Sequence, residues 1–193
     1  EECKIALENG FTSLMYDGSR KPLTQNIDET AAIAKMAHDV GISCEGEIGF
    51  VGYANGDNST GTDPEEAARF ARDSGVDAMA ISCGNVHLQE DKQGGLDVAR
   101  IKAIEAVTEL PLVIHGGSGV PVAQRAQLAA ESRICKFNIG TELRMAFGQA
   151  LRAAVTADAT RFDRVQILRE TADPVKAAAM RVISAFGAPD LRT

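Results

Sequence analysis

Two of the three histidines in this 193-residue chain stand just past short apolar runs. His115 closes the run Leu112, Val113, Ile114 behind Pro111 and is followed by Gly116, Gly117, Ser118 and Gly119; His87 follows the run 76–82 after Cys83, Gly84, Asn85 and Val86. An apolar run with a polar residue at its carboxyl end and glycines beyond is the pattern of a buried parallel strand delivering a side chain to the open end of a sheet. Carboxylates are delivered in the same way. Asp17 ends the run 11–16, and Glu45 and Glu47 alternate within 42–48, so that both point to one face of a strand. Imidazoles from separate strands, together with carboxylates, suit Zn²⁺ or a similar borderline divalent ion. A catalytic zinc keeps three protein ligands and one open position. His87 and His115 supply two, and the third is Glu47, Asp17 or a residue before residue 1. His38 lies instead among Met36, Ala37 and Val40 of a helical pattern and is expected to be structural.

A second cluster suits an anion. Gly116, Gly117 and Ser118 on one loop, and Asn138, Ile139, Gly140 and Thr141 on the next, each precede a helical pattern. Backbone N–H groups at helix N-termini favour phosphate, and glycines let it approach closely.

Five strand patterns, 11–16, 42–48, 76–82, 112–114 and 134–137, hold these residues, each followed by a helical pattern. The helices are predicted near 26–40 with Asn26 or Asp28 as cap, 64–74 capped by Thr62 or Asp63 with Pro64 at N1, 98–107, 122–131, and 142–155. A last helical stretch, 163–186, is interrupted at Asp173 and Pro174, and the chain opens partway through a helix that stops at Gly10. Repeated βα units mean a parallel sheet covered by helices. The sheet is either an open doubly wound one or the last five strands of a (β/α)8 barrel, which the helical opening of the chain favours. Residues 49–63 form the longest stretch without periodicity, and a loop of this length is expected to be functional.

Composition narrows the classes. At 45% hydrophobic the chain is long enough for one domain, 1–193, with a sizeable core. A net charge of −7 and no Lys/Arg cluster argue against a nucleic-acid partner. No apolar run approaches the length of a membrane span, and the first residues hold no signal-peptide core. Cys3, Cys44, Cys83 and Cys135 show no paired spacing and read as reduced core thiols of a cytoplasmic protein.

The segments M-Y-D-G-S (15–19), E-G-E-I-G (45–49), C-G-N-V-H (83–87), L-V-I-H-G-G-S-G (112–119) and K-F-N-I-G-T-E-L (136–143) together resemble the class II, metal-dependent ketose-bisphosphate aldolases, along essentially the whole chain. The resemblance implies a (β/α)8 barrel, of which this chain covers about strands 4 to 8. It implies catalytic zinc held by three histidines, two matched by His87 and His115, with Asp17 and Glu47 matching carboxylates of a second or alternative cation position. Gly116 to Ser118 and Asn138 to Thr141 match the loops that bind the phosphate and hydroxyls of dihydroxyacetone phosphate. The proton-donor aspartate and first zinc histidine belong to an L-D-H motif that precedes residue 1. Zinc chelated by the ketose oxygens then acts as a Lewis acid for cleavage of the C3–C4 bond. Fructose- and tagatose-bisphosphate, glycolytic metabolism and a homodimer or homotetramer follow from the same resemblance.

Three departures bear on the substrate. Leu88 stands where the family has glycine after the second zinc histidine. The 52–59 segment offers only Asp57 in place of an acidic G-G-x-E-D segment, and position 140 is Gly rather than Asp or Ala. They point to an aldolase for another phosphorylated ketose as the alternative, or to a truncated chain that binds phosphosugar without cleaving it. An open-sheet phosphate-binding regulator explains the glycine loops but not the histidines and carboxylates at the strand ends.

Overall fold

The computed structural model describes residues 1–53, 56, 58–88 and 95–187. Helix α1 (Glu2–Glu8) leads into five βα units: β1 (Ser13–Tyr16) and α2 (Leu23–His38), β2 (Ser43–Ile48) and α3 (Pro64–Ser74), β3 (Ala78–Ile81) and α4 (Val98–Glu105), β4 (Leu112–Ile114) and α5 (Val122–Glu131), β5 (Ile134–Phe137) and α6 (Thr141–Ala157). A final helix, α7 (Arg164–Ala185), packs on α6 and α5. The strands are all parallel and pair in sequence order, β1-β2-β3-β4-β5.

Alternation along the strands sorts residues to two faces. Met79 and Ile81 of β3 and Leu112 and Ile114 of β4 are fully buried in the core with Phe70 of α3 and Ile101 and Ile104 of α4. Gly46 of β2 serves the same layer: a Cβ there would lie 2.8 Å from the Phe70 ring and 2.9 Å from Thr30, so only glycine lets α2 and α3 settle this close. The opposite face carries the register row Glu47, Ala80, Val113, Lys136. Lys136 Nζ reaches Glu45 Oε2 at 2.6 Å, although β3 and β4 lie between their strands. In a flat sheet strands three steps apart are separated by about 14 Å. The contact therefore requires a sheet curled toward this face, with small Ala80 and Val113 leaving room beneath the lysine. The fold is an arc of a (β/α)8 barrel whose concave face holds the carboxylates.

Local signals set most boundaries. Asp63 accepts the Glu65 and Glu66 N–H groups, Pro64 opens α3, and Gly75 ends it at φ 68°. Three expectations are corrected, and the one for His38 is made specific. Asn26 is not a cap but a buried residue inside α2, where Nδ2 donates to the Glu47 carbonyl at 2.9 Å and Oδ1 accepts from Thr30. Pro174 does not interrupt the last helix; it lies within the 22 residues of α7, whose packing on α6 and α5 holds the backbone helical despite one missing N–H donor. His38 is exposed, with Nε2 2.9 Å from Asp77 Oδ2, so its structural role is a surface pairing rather than apolar packing. Only two cysteines are core thiols: burial pushes Cys44 up to about 11 and Cys83 up to about 12, whereas Cys3 is half-buried and Cys135 is exposed on edge strand β5. No helix among the described residues is long and apolar enough to cross a membrane.

Candidate active site

The carboxyl ends of β2 and β4 converge on His115. Its Nε2 lies 2.9 Å from Glu45 Oε1 and its Nδ1 2.9 Å from Glu47 Oε2, with all three side chains buried. Alternation along β2 makes this possible, because residues two apart project from the same face. Burial disfavours a charged imidazole here, but hydrogen bonds and charge from Glu45 and Glu47 outweigh it and push His115 up to about 9. Burial likewise disfavours the Glu45 carboxylate, yet the hydrogen bonds from His115 and Lys136 hold its pKa below the usual value. Asn85, itself buried, ties the two histidine-bearing loops together: Nδ2 donates to the His115 carbonyl at 2.9 Å, and Oδ1 accepts the Cys83 N–H at 2.7 Å.

His87 sits 6.1 Å from His115 between ring centroids and stacks on Tyr53 at 5.0 Å. Its N–H donates to the Gly52 carbonyl at 2.8 Å, which pins the start of the 49–63 loop beside it. Burial pushes the pKa of His87 down, and the charge of His115 adds to this against the pull of Glu47 and Asp17. Burial thus favours the uncharged imidazole, the form that ligates metals. Asp17 is exposed and spends Oδ1 on the N–H and hydroxyl of Ser19. It reaches His87 through charge rather than contact.

The donor chemistry fits a borderline divalent ion. Two imidazoles approach each other, burial favours the uncharged form of one, and two buried carboxylates beside the other supply the negative charge that a dication needs. The positive charge in that position is the His115 imidazolium itself, which must give up a ring proton before one of its nitrogens can ligate. Among the described residues no three His, Cys, Asp or Glu side chains form a ligand cluster.

Next to this network lies a cleft of about 450 Å³ lined by His87, Gly116, Ser118, Asn138, Ile139, Gly140 and Thr141, together with Leu88, Phe137 and Arg144. Gly116 adopts φ 65°, and a Cβ there would fall 2.4 Å from the Val86 carbonyl oxygen, so this loop and the His87 loop press together only because the residue is glycine. The β4 and β5 loops are stitched by Gly117 N–H to Asn138 O at 3.1 Å and Asn138 N–H to Ile114 O at 2.9 Å. Helix α6 opens with Gly140 at its N-cap, which has no side chain to take the first-turn N–H groups; that positive helix end borders the cleft. Behind it, Ser118 Oγ accepts the Glu142 N–H at 3.3 Å, and the Glu142 carboxylate pairs at 2.8 Å with Arg125, a fully buried arginine of α5.

Six of the seven anion-binding candidates and His87 thus line one cleft. Gly117 does not; it is buried beneath the loop and serves the backbone stitching. His115 and Glu47 come together in direct contact, with His87 close by and Asp17 apart. Asp57 lies outside the described residues. Three contributors were missed. Arg144 lies three residues after Thr141, so helical periodicity from the loop identifies it; its guanidinium lies 3.4 Å from where a Gly140 Cβ would stand. Lys136 alternates with Phe137 along β5, which marks it as facing the opposite side. Nothing local marks Asn85.

The family model for class-II fructose-bisphosphate aldolase matches residues 1–190. The chain is 34% identical over 191 residues to the fructose-bisphosphate aldolase of Geobacillus stearothermophilus, covering 97% of this chain and 66% of that protein. It is 37% identical to the 6-phospho-5-dehydro-2-deoxy-D-gluconate aldolase of Shouchella clausii, covering 97% of this chain and 65% of the relative. Among solved structures, the YdjI aldolase of Escherichia coli K12 superposes with a TM-score of 0.76 at 30% identity, over 97% of this chain and 64% of that one. The chain therefore spans just under two thirds of the length of these proteins. With strands in barrel order, paired histidines at their ends and a glycine-lined cleft beside them, the chain belongs to the class-II fructose-bisphosphate aldolase family.

Proposed function

We propose that the whole protein is a zinc-dependent aldolase, cleaving a ketose 1,6-bisphosphate to dihydroxyacetone phosphate and an aldehyde phosphate, and running the reverse condensation. The observation that carries this reading is that His87 lines the glycine-lined cleft while its ring lies 6.1 Å from that of His115, so that the cleft and the histidine–carboxylate network adjoin at the same end of the sheet. His87 and His115 would hold the ion, with Glu47 as the carboxylate nearest to both roles and Asp17 as a more distant charge. A divalent ion there supplies Lewis-acid polarisation of a carbonyl.

The remaining work falls to the chain itself. Gly116, Ser118, Gly140 and Thr141, with the first turn of α6, bind the phosphate through backbone N–H groups and hydroxyls. Asn138 and Ile139 set the floor on which the carbon chain lies, and Arg144 adds a bidentate donor for anionic oxygen. Glu45 and Glu47 orient the His115 ring and keep its charge balanced. Fructose- and tagatose-1,6-bisphosphate are the first substrates to test, in a soluble cytoplasmic homodimer or homotetramer. A second reading, an aldolase for a different phosphorylated ketose, is favoured by Leu88 on the cleft wall and by the 37% identity to an aldolase named for a deoxy-gluconate phosphate.

The test uses the full-length protein. Zinc content is measured together with dihydroxyacetone phosphate release from both sugars, with and without chelator. Chelator-sensitive release from either supports the first reading. Bound zinc without release from either favours the second, and release unaffected by chelator overturns both.

A further inference from the structure

The core-facing stripe of α5 carries a charge. Arg125 and Leu128 are the buried residues of that helix, three apart and so on one face, and Arg125 is only 1% exposed. A buried guanidinium is costly. An apolar side chain of similar volume often packs as well or better, and among the described residues Arg125 Nε has no hydrogen-bond partner to offset its desolvation. Stability alone does not account for an arginine here; its neighbours do. Nη1 lies 2.8 Å from Glu142 Oε1, and the guanidinium is 5.9 Å from the Phe186 ring, which stacks at 5.1 Å on Phe137 of the cleft wall.

Glu142 stands in the first turn of α6. A carboxylate there ordinarily favours the helix, because it answers the positive N-terminus. In α6 the same helix end borders the cleft, so a carboxylate reaching over it would compete with an incoming anion and repel it. The side chain goes the other way: Thr141 and Arg144 line the cleft, whereas Glu142 between them does not. Its N–H donates to Ser118 Oγ at 3.3 Å, and its carboxylate is turned to α5 and Arg125. We infer that Arg125 is a positioning residue for the cleft: it holds the Glu142 carboxylate back from the N-terminus of α6 and cancels its charge, so that a phosphate entering there meets N–H donors and Arg144 instead of a carboxylate. The inference rests on the reading of that cleft as a phosphate site.

A double-mutant cycle on the full-length protein, read by calorimetric titration with inorganic phosphate, tests it. Arg125→Met and Arg125→Gln each remove the countercharge that Glu142 has in the parent, and should weaken phosphate binding by about tenfold, the order expected of one full charge a few ångströms from a bound anion at partial burial. The glutamine variant can still hydrogen-bond the carboxylate, and it carries the test if the methionine variant does not fold. Glu142→Gln should bind phosphate at least as tightly as the parent, and Arg125→Met combined with Glu142→Gln should return the affinity to within about threefold of it. An arginine that serves only the fold predicts a different pattern, in which affinity follows the melting temperature and the double variant binds as weakly as the single one. That pattern overturns the inference, and so does an unchanged affinity in the Arg125 single variants; either leaves the phosphate site standing. Phosphate binding by none of these proteins, the parent included, overturns the phosphate reading and the inference together.

Discussion

The two halves of the candidate site are built from opposite materials. Around His115, the buried side chains of Glu45, Glu47 and His115 and the half-exposed Lys136 meet across 70 and 91 residues of sequence, and charge balances charge. Around the cleft, successive loops present glycines, backbone N–H groups and a helix end, and most of the contributors lie within 25 residues or so of one another. The first half is expensive to misassemble, because an unpaired buried charge costs far more than a paired one gains. The second is tolerant of side-chain chemistry and intolerant of added bulk. Substitutions therefore separate the halves by the kind of damage as well as by its size.

The sharpest contrast comes from His115→Ala. It leaves Glu45 and Glu47 buried without the imidazolium between them, and is expected to destabilise by about 3–5 kcal/mol at neutral pH, with zinc content falling as a proposed ligand is lost. The His115 pKa is raised from 6.5 to about 9, so its contribution in the parent is fully present below the unfolded value and is lost as pH rises through the folded one. The gap between parent and variant should therefore narrow between pH 7 and pH 9. Urea unfolding at both pH values reads this directly. An equal loss at both would mean that the empty volume, not the charge, sets the cost.

On the cleft side, the contrast is between two adjacent glycines. Gly116→Ala must accommodate both φ 65° and a Cβ 2.4 Å from a backbone oxygen that cannot move away. A loss of about 2–3 kcal/mol is expected, together with loss of phosphate binding. Gly117→Ala meets first the Ile139 Cδ1 methyl at 2.9 Å, the far end of a flexible side chain. Its cost should be about 1 kcal/mol. Thermal unfolding and phosphate titration of the two variants, side by side, check this. Equal losses would refute the view that backbone contact dominates this loop.

Lys136 links the halves, since it belongs to the strand that leads into the Asn138 loop while its amine holds Glu45. Because the lysine side chain is 49% exposed, Lys136→Met should cost only about 1 kcal/mol. Zinc affinity should fall further, by about tenfold, as Glu45 loses the partner that helps orient it on His115. Lys136→Arg should restore most of that affinity. Competition with a chromogenic chelator measures it, and an unchanged zinc affinity in Lys136→Met would show that Glu45 needs no help.

The same division explains what could be read from the chain alone. Strand 112–114, helix 122–131 and strand 134–137 fall where expected because apolar runs, prolines and a following glycine act within a few residues. The cleft was legible for that reason, and Glu45 and Glu47 were seen to share a face because strand periodicity is local too. What was not legible depends on curvature. That Lys136 would cross two strands to Glu45 follows from the curl of the sheet and from small residues at 80 and 113. Asn26 carried a cap's residue type but found its partner 21 residues away at Glu47 O. Asn85 likewise bonds across to a different loop, with no periodicity to announce it.

The smallest effect lies at the far end of the sheet and calibrates the others. Asp77 accepts the Cys44 N–H at 2.7 Å and faces His38 Nε2 at 2.9 Å, while its own N–H donates to Cys44 O at 2.8 Å. Partial burial works against its carboxylate, but the bonds from Cys44 and His38 prevail and lower its pKa from the ordinary 3.8. A carboxyl with a lowered folded-state pKa contributes stability that is present above the unfolded value and is lost as pH falls through the folded one. The pair is about half exposed, so screening by water limits Asp77→Asn to less than about 1 kcal/mol at pH 7; the amide oxygen can still accept from Cys44. Parent and variant should converge below pH 3.8, where the parent carboxyl is itself being protonated. A gap that persists in acid would place the contribution in shape rather than charge, and would make this surface pairing resemble the cleft more than the buried network.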